Sequence, residues 1–235
     1  MKKKNVLYTI ILVLALLGMM LRGLPLGIFS PKQSIAPSPS STVTLLYSER
    51  SEEKDNSYKT MEKKILMVVA FKDFKDEEYF VTKEVLEKAN FLIETTSNQK
   101  GIALGTEGGE AIITLLPQEI NPRDYEGIVF VGGSGMGKEL DNQEFQKLAQ
   151  EFIKNDKIVA AICVAPALLA KSQILKGVKA TVWSSALDKS FIQILKANGA
   201  IYTDKPVVQD GKIITANGPD AASQFGETIV NQLSL

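Results

Sequence analysis

Two rhythms of apolar and polar positions alternate along most of this chain. Lys64-Ile65-Leu66-Met67-Val68-Val69-Ala70 is a short apolar run behind a basic start, the pattern of a strand buried on both faces of a parallel sheet. From Glu77 to Ala89 the apolar residues Phe80, Val81, Val85, Leu86 and Ala89 fall at helical spacing. Phe91-Leu92-Ile93-Glu94-Thr95 predicts the next strand, 101–109 a glycine-bearing loop, and Ala111-Ile112-Ile113-Thr114 another short strand. Tyr125 to Val131 is again wholly buried in character and ends at Gly132-Gly133-Ser134-Gly135. Asn142 to Lys154 predicts an amphipathic helix with Phe145, Leu148, Ala149 and Phe152 on one side.

The run Ile158 to Ile162 breaks at Cys163 and passes into an Ala/Leu-rich stretch with Pro166 in its first turn, which predicts strand, sharp turn, helix. Lys179 to Trp183 follows as a strand and Leu187 to Ala197 as a helix. Val207 to Thr215 predicts a hairpin, because Asp210-Gly211 supplies the positive φ values of a two-residue turn. Asp220 to Leu233 closes the chain as a helix. Strands alternating with helices imply right-handed crossovers, hence an α/β flavodoxin-like three-layer sandwich with a mostly parallel sheet. Sites in such sheets lie at the carboxyl ends of strands. Here those ends are Ala70-Phe71, 131–133, Ile162-Cys163 and 215–218.

The first sixty residues follow another pattern. Lys2, Lys3 and Lys4 precede the apolar run Val6 to Leu21, with Arg22 and then Leu24 to Phe29 after it. At about 1.5 Å per residue the run spans ~24 Å against a hydrocarbon core of ~30 Å. A signal peptide cleaved after Ser34-Ile35-Ala36 would leave a secreted protein, but Pro37 suits that cut poorly. The preferred expectation is a signal anchor at 1–29, with the N-terminus cytoplasmic and the C-terminal domain outside. Residues 30–62, rich in Ser, Pro, Thr and charge, are expected to be a disordered linker, and 63–235 a single α/β domain.

Composition narrows the chemistry. A formal net charge of zero gives no electrostatic reason to expect nucleic acid. One cysteine allows no internal disulfide, and the complete absence of histidine excludes Cys-His and Ser-His-Asp catalysis together with histidine-ligated metal centres. No cofactor is expected. The phosphate-loop reading of Gly132 to Lys138 fails, because the spacing is wrong and no Ser or Thr follows the Lys.

Cys163 at the turn, with small Ala161 and Ala165 on either side, has the form of a nucleophile elbow facing a helix N-terminus, which favours thiolate. A packed small hydrophobe explains the same residue equally well. Gly132 and Gly133 permit backbone amides to face a developing charge, or simply make a tight turn. Glu77 reads as a helix-dipole partner. Glu78, followed by Tyr79-Phe80-Val81, is a carboxyl whose pKa apolar neighbours would raise, fitting it to donate a proton to a thiolate. Asn217 and Gly218 either line the same pocket or form a plain turn before the last helix.

In this order the motifs Lys64 to Val68, Asp76-Glu77-Glu78, Val131-Gly132-Gly133, Ala161-Ile162-Cys163 and Asn217-Gly218-Pro219 resemble the PfpI family. That is the branch of the class I glutamine-amidotransferase-like superfamily that includes the Parkinson-associated redox and deglycase protein. The resemblance implies Cys163 as the reactive cysteine, Glu78 as the active-site glutamate, Gly132 and Gly133 as the oxyanion-binding turn, and a homodimer. Four positions depart from it. Val164 and Trp183 stand where family enzymes often carry histidine, Ala165 where glycine is usual, and Asn217 where some members hold an anion with arginine. Peptidase activity is therefore not expected. A Cys-Glu pair remains, linked in the family to glyoxalase or deglycase activity on small carbonyl compounds, with the amides of Gly133 and Val164 at the oxyanion. The alternative is a non-catalytic, membrane-tethered domain that senses oxidants or binds a partner.

Overall fold

The computed structural model describes residues 63–234. The anchor expected at 1–29 and the linker at 30–62 lie outside the described residues. Among the described residues no helix is long and apolar enough to cross a membrane.

Six strands make the central sheet: β1 (Lys64–Val68), β3 (Leu92–Thr96), β6 (Gly127–Phe130), β7 (Ile158–Ile162), β10 (Val207–Asp210) and β11 (Ile213–Ala216). Their order is β10-β11-β7-β6-β1-β3. Every pairing is parallel except the β10–β11 hairpin, where Gly211 takes φ +59° between the strands. The continuous apolar runs follow from burial on both faces: Ile65 to Val68 and Val159 to Ile162 are all 0% exposed. Each such aliphatic side chain contributes about 1.5–3 kcal/mol by leaving water.

The crossovers explain the layers. From β1 the chain passes through α1 (Asp76–Lys88) to β3 at one edge, whereas from β6 it passes through α3 (Gln143–Lys154) to β7 in the opposite direction. Right-handed connections running in opposite directions place their helices on opposite faces. Helix α6 (Ala222–Leu233) packs on α1, while α4 (Pro166–Lys171) packs between α3 and α5 (Ser190–Ala197) on the other face. The α/β class, the parallel sheet and the terminal hairpin are therefore as expected.

Three elements differ from the sequence reading. The expected loop at 101–109 contains β4 (Gly101–Gly105), which pairs antiparallel with β5 (Glu110–Ile113) and parallel with the short β2 (Lys72–Phe74) in a separate small sheet. Its alternation is genuine but inverted: Ile102, Leu104 and Ile112 face outward while Ala103, Ala111 and Ile113 are buried. The strand expected at 179–183 shrinks to β8 (Lys179–Ala180), paired only with β9 (Ile201–Tyr202), because Thr181 donates its amide to Thr215 Oγ1 instead of a strand carbonyl. Gly132-Gly133 leads directly into a short helix, α2 (Ser134–Lys138), that the glycine-rich sequence does not announce.

Candidate active site

The break after β7 is a single residue. Cys163 takes φ +63°, a left-handed conformation uncommon for a side chain with a Cβ, and Pro166 opens α4 three residues later. Two backbone bonds pin that conformation: the Cys163 amide donates to Ala216 O at 2.9 Å, and its carbonyl accepts from the Trp183 amide at 2.8 Å. Ala161 and Ala165 beside it are fully buried, consistent with the small flanks of an elbow. Strain at a cysteine, held by the strands on both sides, is the kind that marks functional positions.

On the neighbouring strand, β6, the chain turns at Gly132-Gly133. A Cβ on Gly132 would lie 2.5 Å from Cys163 Cβ and 2.7 Å from Glu78 Oε2, so nothing larger than hydrogen fits between thiol and carboxyl. Gly133 takes φ +104°, and a Cβ there would meet the Lys75 amide nitrogen at 2.5 Å. That close approach fastens the turn to the start of α1, where the Lys75 amide donates to Gly132 O at 3.2 Å.

Helix α1 brings Glu78 in from the opposite side. It is 0% exposed, and its Oε2 accepts from the Gly132 amide at 3.0 Å. Oε1 has no hydrogen-bond partner among the described residues. Burial raises the Glu78 pKa to about 7, against the lowering pull of the thiol, the Gly132 amide and the Lys75 charge. Near neutrality this carboxyl carries its proton in a large share of molecules. Burial and the Glu78 charge push the Cys163 thiol up, while the amides of Gly133 and Val164 pull it down. This corrects the expectation that a helix end would favour thiolate. Helix α4 has only six residues and a weak dipole, and the two amides take over that role in part. Protonating Glu78 removes the repulsion and supplies a donor, so the pair behaves as one two-proton system.

Cys163, Glu78, Gly132, Gly133 and Val164 thus meet at one place. Asn217 follows Ala216, whose carbonyl accepts from the Cys163 amide; the Asn217 amide donates to Pro206 O, and a Cβ on Gly218 would face Trp183 Cδ1 at 3.6 Å. Trp183 lies edge-on to Phe191 with ring centroids 6.0 Å apart, and its backbone amide donates to Cys163 O. Glu77 is exposed, in keeping with a dipole partner.

One important residue escaped the sequence reading. Asp76 is 6% exposed and accepts from Glu107 N (2.8 Å), Gly109 N (2.6 Å) and Thr106 Oγ1 (3.2 Å), all from the β4–β5 turn. A Cβ on Gly105 or Gly109 would strike its carboxylate, which is why glycines flank that turn. The only signal in the sequence was an acidic residue in a first helical turn, and that has a commoner explanation.

The DJ-1/PfpI family model matches residues 63–232. The chain belongs to the DJ-1/PfpI family. An uncharacterised protein of Methanocaldococcus jannaschii is 40% identical over 184 residues, covering 78% of this chain and 87% of its own. The crystal structure of a ThiJ/PfpI domain protein from Brachyspira murdochii superposes with TM-score 0.69 at 33% identity, covering 73% of this chain and 96% of its own. Drosophila melanogaster DJ-1beta shares the fold at TM-score 0.64 and 24% identity, over 73% of this chain and 90% of that one. Family membership accounts for the elbow, the glycine turn and the glutamate occurring together.

Proposed function

We propose that the chain is a cysteine-dependent enzyme of the glyoxalase or deglycase type, acting on small carbonyl compounds. The observation that carries this reading is the left-handed Cys163 beside the fully buried Glu78, whose pKa is raised to about 7, with the amides of Gly133 and Val164 at the sulfur. The reacting form of the pair carries the proton on Glu78 and leaves Sγ as thiolate, a minor arrangement of the singly protonated pair because burial pushes the thiol above the carboxyl. Attack of Sγ on an aldehyde carbon forms a C–S bond and moves the carbonyl electron pair onto oxygen. Gly133 and Val164 amides face that oxygen, and Glu78 delivers its proton to it, giving a hemithioacetal.

With a second carbonyl next to the first, the Glu78 carboxylate takes the proton from the former aldehyde carbon and returns it to the neighbouring carbon, while the hydroxyl proton of the hemithioacetal passes to the neighbouring oxygen. A thioester results, and water hydrolyses it to a 2-hydroxy acid and free thiol. No electrons leave or enter overall. The rate should be modest, since general acid-base help of about 10²–10⁴-fold must come from a single carboxyl without an imidazole. Methylglyoxal turnover by the wild type and by Cys163→Ser tests the reading. Loss of turnover to the uncatalysed background is expected, and equal rates would remove the catalytic role.

A further inference from the structure

A basic residue that this chemistry does not use has its backbone beside the glycine turn. Lys75 is the residue before α1, and its side chain makes no cap on the helix. Its amide is bonded to Gly132 O, and the bare backbone of Gly133 lets the two segments lie this close. Glu78 follows three residues later. The backbone of Lys75 is therefore fixed against both halves of the site.

The ammonium end is held more loosely. It pairs with Glu107, whose backbone is tied down through Asp76, but the two side chains are 27% and 60% exposed. An exposed pair of this kind is worth about 0–1 kcal/mol, so an arriving anion displaces Glu107 at little cost. Other acidic groups around Lys75 are accounted for. Glu78 is buried, accepts from the Gly132 amide and carries its proton in a large share of molecules near neutrality, Asp76 is satisfied by three donors, and Glu77 is solvated.

We propose that Lys75 selects the substrate: its ammonium exchanges Glu107 for the carboxylate of a small carbonyl compound, so that oxo acids are favoured over neutral dicarbonyls. This rests on the reactive Cys163 of the proposed function and adds to it the charge class of the ligand. The lysine donates point-charge hydrogen bonds to the carboxylate while the neighbouring carbonyl carbon is presented to Sγ.

Because Cys163 is the only cysteine in the chain, its alkylation reads the field at the site directly. Iodoacetate and iodoacetamide share a leaving group, and in each the thiolate displaces iodide, but only the first carries a charge. The ratio of their rates cancels differences in thiol pKa and nucleophilicity. In the full-chain protein, Lys75→Met should lower the iodoacetate-to-iodoacetamide ratio by about three- to ten-fold at low ionic strength. Glu107→Gln should raise it, Lys75→Arg should preserve it, and about 0.5 M salt should flatten the differences. An unchanged ratio in Lys75→Met and Glu107→Gln, with iodoacetamide still reacting, overturns this inference alone. A thiol inert to both reagents overturns the proposed function and this inference together.

Discussion

Glu78 sets the pH behaviour of the molecule. Its pKa in the folded protein, about 7, lies above the ordinary 4.5, so the unfolded chain loses this proton first as pH rises. The folded state is then left holding the costlier proton balance. The contribution of Glu78 to stability is full below about pH 4.5 and falls away towards pH 7, by up to roughly 3 kcal/mol. Glu78→Gln keeps an acceptor for the Gly132 amide without the charge. Urea unfolding should therefore find the variant more stable than wild type near pH 8 and nearly equal near pH 4.5, and the reverse order would refute the burial argument. Gly132→Ala tests the space between the same groups. A methyl 2.5 Å from Cys163 Cβ must push thiol and carboxyl apart, costing about 1–3 kcal/mol and slowing iodoacetamide alkylation.

Among the elements, the β4–β5 hairpin is the unexpected partner of α1. Asp76 ties its turn to the helix that carries Glu78, and a carboxylate accepting from backbone amides is worth more than a neutral bond, about 1.5–3 kcal/mol each. Asp76→Ala should destabilise the protein by several kcal/mol and raise amide hydrogen exchange at 105–109 before the central strands open. Burial by itself would raise the Asp76 pKa, but the Glu107 and Gly109 amides and the Thr106 hydroxyl hold it below the usual carboxylate range. Its contribution is therefore present above the unfolded pKa, near 4, and lost as pH falls through the lower folded value. The elements hidden from sequence share a cause. In β4 the exposed face is the apolar one, so Ile102 and Leu104 among glycines resemble a loop, and α2 is built on Ser134-Gly135-Met136-Gly137-Lys138, whose glycines argue against helix. Tertiary contact decides both: a Cβ on Gly135 would lie 1.9 Å from Lys72 O, so the absent side chain is what lets that helix sit against β2.

At the scale of the whole molecule, the position of Glu78 depends on how α1 lies on the sheet, and α6 braces it. A Cβ on Gly226 would come 2.9 Å from Val85 Cβ, a contact only a bare backbone permits. Gly226→Ala should separate the two helices, lowering the unfolding midpoint by a few degrees for an expected cost of about 1–3 kcal/mol. Iodoacetamide alkylation of Cys163 should change with it, although residue 226 is remote in sequence. No loss of stability in Gly226→Ala would show that the helix pair tolerates spreading.

The sequence by itself determined the alternation of buried strands and helices, the parallel sheet, the β10–β11 hairpin, the elbow at Cys163 and the exclusion of imidazole chemistry. Those properties are written locally, in the period of apolar residues, in Asp210-Gly211, in Pro166 after a strand, and in the residue types themselves. Tertiary structure decided the rest. It made Glu78 a buried acid with a pKa near 7, pushed the thiol up where a helix end had been expected to pull it down, tied Asp76 to the β4–β5 turn and set the Lys75 amide against Gly132. The physical reason is that pKa and reactivity follow desolvation and through-space charge, and these depend on which elements meet at the sheet's carboxyl edge, not on neighbours along the chain.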